Sequence, residues 1–152
     1  MQKHDFYQSL VKQTESLIAG ESNVIANMAN ISALLFTSLE DVNWAGFYFM
    51  DSPTELVLGP FQGNPACIRI PVGKGVCGTA AATAETQLIE DVHAFDGHIA
   101  CDAASNSEVV VPIMKHGKVF AVLDIDSPSI GRFDADDKVG LEALVKCLEA
   151  SL

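Results

Sequence analysis

The sequence predicts an α+β fold, a mostly antiparallel central sheet with N- and C-terminal helices packed on one face. Three observations carry this expectation. Apolar residues at helical spacing open and close the chain, short β-patterned segments fill its middle, and turn residues join those segments too tightly for crossover connections. The 152 residues, 49% apolar and 19% charged, suffice for one compact domain over 1–152 with a sizeable core.

Phe6, Leu10 and Leu17, with Val11 and Ile18 beside them, give the first helix, and Gly20 sits where it would stop. Ser22 is placed to cap a second helix whose apolar stripe, including Val24, Met28, Ile31, Leu35 and Leu39, suits packing on a sheet. The period then changes. Residues 44–50 are aromatic-rich, Ser52-Pro53 is a turn signal, and residues 55–61 read as the returning strand of a hairpin. A short strand at 67–71 leads into Gly73-Lys74-Gly75-Val76-Cys77-Gly78, and the alanine-rich stretch 79–85 reads as helix. Residues 87–91 form a brief strand, and 92–106 a long loop of the kind that is often functional. Strands at 107–115 and 118–126 flank His116-Gly117, and an amphipathic helix over 134–152 ends the chain through Leu141, Leu144, Val145 and Leu148.

Composition narrows the function classes. With 20 Asp and Glu against 9 Lys and Arg, the net charge of -11 supplies no basic field for phosphates, so nucleic acid is not expected as a partner. No run approaches the ~18 consecutive apolar residues of a membrane span, and the N-terminus lacks the basic-then-apolar pattern of a secretion signal. A cytoplasmic protein without membrane attachment is the expectation. Cys67, Cys77, Cys101 and Cys147 lack the spacing of a structural zinc site, and a structural disulfide framework is not expected in that compartment.

Several residues are candidates for chemistry, each with a plainer alternative. Gly73-x-Gly75-x-x-Gly78 matches a dinucleotide-binding pattern, but the chain lacks the βαβ succession that pattern needs; backbone geometry or a small anion at a helix N-terminus accounts for it as well. Asp124 and Asp126 are two apart in a β-segment and share a face, where enclosure would leave one protonated, whereas a strand end in solvent would not. Whether Glu108 joins them depends on register. A two-residue turn at His116-Gly117 puts it opposite Ile125, on the wrong face. A three-residue loop would bring it opposite Asp124, and another one-residue irregularity, to which Pro112 could contribute, would also serve. Cys77, at a helix start, and Cys101, in the long loop, compete as reactive thiols, or are inert and buried. The helix dipole should lower the Cys77 pKa, while Asp102 and His98 act on Cys101 in opposite senses. Trp44 and Tyr48 share one strand face, as core or as a pocket wall suited to a thioether methyl. Cys147 should be structural or partly exposed. Asp91, His93, Asp96 and His98 have no recognised ligand spacing, so no metal is expected.

The segments Asn43-Trp44-Ala45-Gly46-Phe47-Tyr48, Gly59-Pro60-Phe61-Gln62-Gly63, the glycine run through Cys77, the stretch from Asp96 through Cys101 to Glu108, and Leu123-Asp124-Ile125-Asp126-Ser127 resemble the free methionine-(R)-sulfoxide reductases, which are single GAF domains. The resemblance covers nearly the whole chain, and the loop through Cys101 is its most specific part. It implies reduction of free L-methionine (R)-sulfoxide with thioredoxin as reductant, no metal or organic cofactor, and is compatible with a homodimer. It implies Cys101 as nucleophile, Cys67 as the main resolving thiol and Cys77 as a further exchanging thiol. Glu108, Asp124 and Asp126 would bind the sulfoxide and other substrate polar groups, and Trp44 and Tyr48 would wall the methyl end. A noncatalytic GAF ligand sensor and a thiol redox sensor without a substrate pocket are the alternatives.

Overall fold

The computed structural model describes residues 1–152. Two helices open the chain, α1 (Lys3–Ile18) and α2 (Val24–Ser38). The hairpin β1 (Trp44–Ser52) and β2 (Glu55–Gly63) follows, then β3 (Arg69–Pro71), α3 (Gly75–Thr83) and β4 (Gln87–Ile89). A single 3-10 turn, Val92–Ala94, interrupts the long loop before β5 (Ser107–Lys115), β6 (Lys118–Ser127) and α4 (Ala135–Ala150). The order agrees with the sequence reading, while boundaries shift: the third helix begins at Gly75 instead of 79, and the strand expected at 67–71 forms only from Arg69. Asn23, not Ser22, caps α2, because its side-chain oxygen accepts from the Ala26 N–H at 2.9 Å.

The six strands form one sheet in the order β3-β2-β1-β6-β5-β4, and every neighbouring pair is antiparallel. Strand alternation divides its residues between two cores. Ala45, Phe47, Val109, Val111, Ile113, Leu123 and Ile125 point toward α1, α2 and α4, where they meet Leu10, Ile31, Leu35, Leu141 and Leu148. Trp44, Tyr48, Val110 and Val122 point the other way, toward Val76, Cys77, Ala80 and Ala81 of α3. One face thus carries the larger hydrophobic core, and the other is covered by a short helix and loops that leave space for a site. No helix is long and apolar enough to cross a membrane.

The β5–β6 register departs from both simple expectations. His116 (φ 52°) and Gly117 (φ 76°) form a two-residue turn with both residues left-handed, so Lys115 does face Lys118. Met114 pairs with Val119 but Ile113 pairs with Ala121, leaving Phe120 as an extra residue on β6. That bulge displaces the register by one. Glu108 therefore lies opposite Asp126, and Val110 opposite Asp124, in place of the Glu108–Asp124 pairing expected from a longer loop. Pro112 pairs regularly with Val122 and is not itself the irregularity.

Candidate active site

The bulge brings three carboxyls to one face. Glu108, Asp124 and Asp126 retain only 7%, 5% and 9% exposure, so the solvent-exposed strand end considered for the aspartates does not apply. Beside them, Trp44 pairs with Asp126 and Gly46 with Asp124 across β1 and β6. A Cβ on Gly46 would lie 2.2 Å from the Phe61 Cβ, so glycine is required for Phe61 to approach and stack on Trp44, with centroids 5.1 Å apart. Trp44 also stacks with Tyr48 at 5.9 Å and donates Nε1–H to the Asn64 carbonyl at 3.0 Å. The Tyr48 hydroxyl donates to the Cys67 carbonyl at 3.0 Å, fixing the segment between β2 and β3 to the aromatic wall.

The long loop and the glycine run close the other side. Gly75 has φ +63°, and a Cβ there would meet Ile99 of the loop at 3.2 Å. A Cβ on Gly78 would come within 2.4 Å of the Pro71 carbonyl oxygen, so these glycines serve close backbone packing within an antiparallel fold. The dinucleotide alternative loses the parallel sheet it requires. Cys101, in the loop, is disulfide-bonded to Cys67, their Cα atoms 5.4 Å apart. Both Trp44 and Tyr48, the three carboxyls, Cys77, Cys101, His98, Asp102 and Ser105 line one pocket, with about 40 Å³ of free space.

Burial sets the protonation of this pocket. Desolvation is the largest cause in pushing all three carboxyls above the ordinary carboxylate range, and Glu108 and Asp126 are pushed well above it, with the charge of Asp124 as the next contribution. Asp124 is held back because Glu108, the Cys77 thiol and Asp126 hydrogen-bond to it. Asp124 Oδ1 and Asp126 Oδ1 are buried without a hydrogen-bond donor, which adds to the cost of ionising the cluster. Cys77 corrects the sequence expectation. Although it begins a helix, it is buried beside the acids, and desolvation followed by the charges of Asp124, Glu108 and Asp126 raises its thiol well above the usual pKa. It remains a neutral donor. Its Sγ and one carboxyl oxygen each of Glu108 and Asp124 lie within 4.8 Å of one another. Desolvation likewise lowers the pKa of His98, so it is neutral near pH 7 and does not provide the thiolate-stabilising charge considered for it.

The remaining candidates lie apart. Cys147 is half-buried on α4, its thiol directed at Glu15 of α1. His93 pairs with Asp91 at 2.9 Å on the exposed 3-10 turn, well outside the pocket lining. Sequence reasoning missed Ser105, Ile99 and Phe61, which shape the pocket or its wall only through contacts distant in the chain.

A GAF domain family model matches residues 26–146. The chain is 57% identical over 152 residues to the free methionine-R-sulfoxide reductase of Escherichia coli, covering 100% of this chain and 92% of that protein. The chain belongs to the GAF domain family, among the free methionine-R-sulfoxide reductases. The free methionine-R-sulfoxide reductase of Saccharomyces cerevisiae is 44% identical over 158 residues, covering 99% of this chain and 88% of that one. A solved structure of the Staphylococcus aureus fRMsr in complex with substrate superposes with a TM-score of 0.92 at 55% identity, covering 96% of this chain and 95% of that chain. The GAF fold is therefore common to this chain and its catalytic relatives, with the buried acids and the disulfide on the side of the sheet away from the three long helices.

Proposed function

We propose that this oxidoreductase reduces free L-methionine (R)-sulfoxide to L-methionine. The observation that carries the reading is that Cys101, bonded to Cys67, lines a pocket with three buried carboxyls and the stacked Trp44 and Tyr48 rings. In the dithiol form, the Cys101 sulfur attacks the sulfoxide sulfur while a protonated carboxyl, Glu108 or Asp126, delivers a proton to the sulfoxide oxygen and the thiol proton passes back to that carboxylate. The oxygen passes to Cys101: methionine leaves and a sulfenic acid remains. The Cys67 thiol then attacks the Cys101 sulfur, forming the disulfide and releasing water. An external dithiol, thioredoxin in this reading, reduces that bond and is itself oxidised to its disulfide. Cys77 is a further thiol available for exchange after rearrangement of the pocket. Asp124, the carboxylate held most nearly ionised, is suited to the substrate ammonium, and the aromatic wall to its methyl end. No organic cofactor or metal enters these steps.

The test separates the reading from a ligand sensor and from a redox sensor. The reduced protein, given the R and S epimers separately with a dithiol, should form methionine from the R epimer only. Cys101→Ser should abolish turnover, whereas Cys67→Ser should release about one methionine per subunit in a single attack. Multiple turnovers of Cys67→Ser with thioredoxin alone would contradict the resolving role, and no methionine from either epimer would sink the enzymatic reading.

A further inference from the structure

We infer that Asn43 is a positioning residue that holds the Cys101 loop over the pocket once the disulfide is reduced. Its Nδ2 donates both to Asp102 Oδ2 at 3.3 Å and to Ser105 Oγ at 3.2 Å, and Asp102 directly follows Cys101. The loop side of this clamp is itself ordered. Asp102 Oδ1 accepts from the Ala104 N–H at 2.9 Å, its carbonyl accepts from the Ser105 N–H at 3.1 Å, and Ser105 is buried. The strand side is equally fixed, because the Asn43 N–H donates to the Asp126 carbonyl at 3.0 Å and Asn43 precedes Trp44 in the chain. One amide thus connects the strand end carrying the aromatic wall and the acids to the residue after Cys101.

The amide has one acceptable orientation. Turned over, it would set an oxygen against the Asp102 carboxylate, so Nδ2 must face the loop, and Oδ1 is left buried without a donor. From Phe95 to Cys101 the polar ties are local: the Phe95, His98 and Cys101 N–H groups donate to the carbonyls of Val92, Phe95 and Ile99. When the covalent tie at Cys101 is cut, the clamp at Asp102 and Ser105 is the nearest polar anchor to another element. It raises the effective concentration of Cys101 at both Cys67 and the pocket.

The catalytic part rests on the reductase reading, but the clamp is also testable without sulfoxide. Asn43→Asp keeps the shape, removes the donors and places a charge against Asp102, whereas Asn43→Asp combined with Asp102→Asn exchanges donor and acceptor. Each protein is equilibrated in glutathione redox buffers, and the Cys67–Cys101 bond is read by mass after alkylation. Asn43→Asp should lower the disulfide equilibrium constant about tenfold and the double variant should restore most of it; Ser105→Ala, which removes one bond from the loop side, should lower it about threefold. Single-turnover methionine formation should follow the same order with KM altered less than twofold. An isosteric Asn43→Asp that matches the parent, a loss the exchange does not repair, or an unchanged Ser105→Ala would each overturn the clamp. The expected thiol-exchange pattern in a protein that forms no methionine would instead refute the reductase reading and leave the clamp standing.

Discussion

Among the pocket residues, Glu108 best shows how environment decides chemistry. In water its carboxyl is ionised near neutrality; here desolvation, then Asp124 and Asp126, keep it protonated and able to donate. Glu108→Gln retains a donor to the aspartates but has no proton to transfer. Its single-turnover rate should fall by about 10²–10⁴, the range for loss of a general acid, with substrate binding less affected. The same carboxyl makes stability depend on pH. A folded-state pKa above the unfolded value gives a contribution present below the unfolded pKa and lost as pH rises through the folded one. Glu108→Gln should therefore flatten the fall in Tm between mildly acidic and mildly alkaline pH; an unchanged slope would place the proton elsewhere. Asp124, Asp126, Cys77, His98 and Tyr48 share this surrounding, so the titration belongs to the group as a whole.

At the scale of elements, the last helix is anchored from both directions. Asp134 accepts from the Asp136 and Asp137 N–H groups, Asp137 accepts in return from the Asp134 N–H, and the buried Asp137 also receives the Tyr7 hydroxyl at 2.7 Å and Lys3 Nζ at 2.6 Å. These contacts join the two terminal helices across a sequence separation of 130 residues. Asp134→Ala should cost about 1 kcal/mol as loss of an N-cap, lowering Tm by roughly 2–4 °C, measured by thermal unfolding near neutral pH. Lys3 hydrogen bonding is the main cause holding the Asp134 carboxyl down at about 2. Its stabilising contribution is present above the unfolded carboxylate pKa and fades as pH falls toward 2, so the parent and the variant should converge in that window. A Tm difference that persists undiminished at the acid end would contradict this assignment.

For the whole molecule, packing divides stability from chemistry. The long helices bury one sheet face in the main core, while the opposite face holds an acid pocket under the loop and α3. About 40 Å³ of free space, against the ~10–15 Å³ needed for a single water, is left in the pocket while the Cys67–Cys101 bond holds the loop over it. The disulfide form is therefore expected to exclude methionine sulfoxide. Calorimetric titration should show binding to Cys101→Ser, which lacks the Cys67–Cys101 bond, and none to the disulfide form of the parent. Equal binding would mean that the pocket opens without bond cleavage.

The order of helices and strands was readable in the sequence because helical and strand periods are local, and Ser52-Pro53 and His116-Gly117 are turn signals with short reach. The shared face of Asp124 and Asp126 followed from the same period of two. The partner of Glu108 did not, since it rests on the extra residue at Phe120, which neither the turn nor Pro112 reveals. Nor did the direction of the Cys77 pKa: the local helix start argued for a lower value, but enclosure beside three acids prevails. The anchoring of the Cys101 loop by Asn43 likewise spans 59 residues and depends on where the chain returns. Sequence by itself determined the elements, their faces and the residue types available for redox chemistry, because these follow from neighbours along the chain. Only the tertiary structure decided which carboxyls are enclosed together and which thiol is buried beside them, because burial and register are set by residues far apart in sequence.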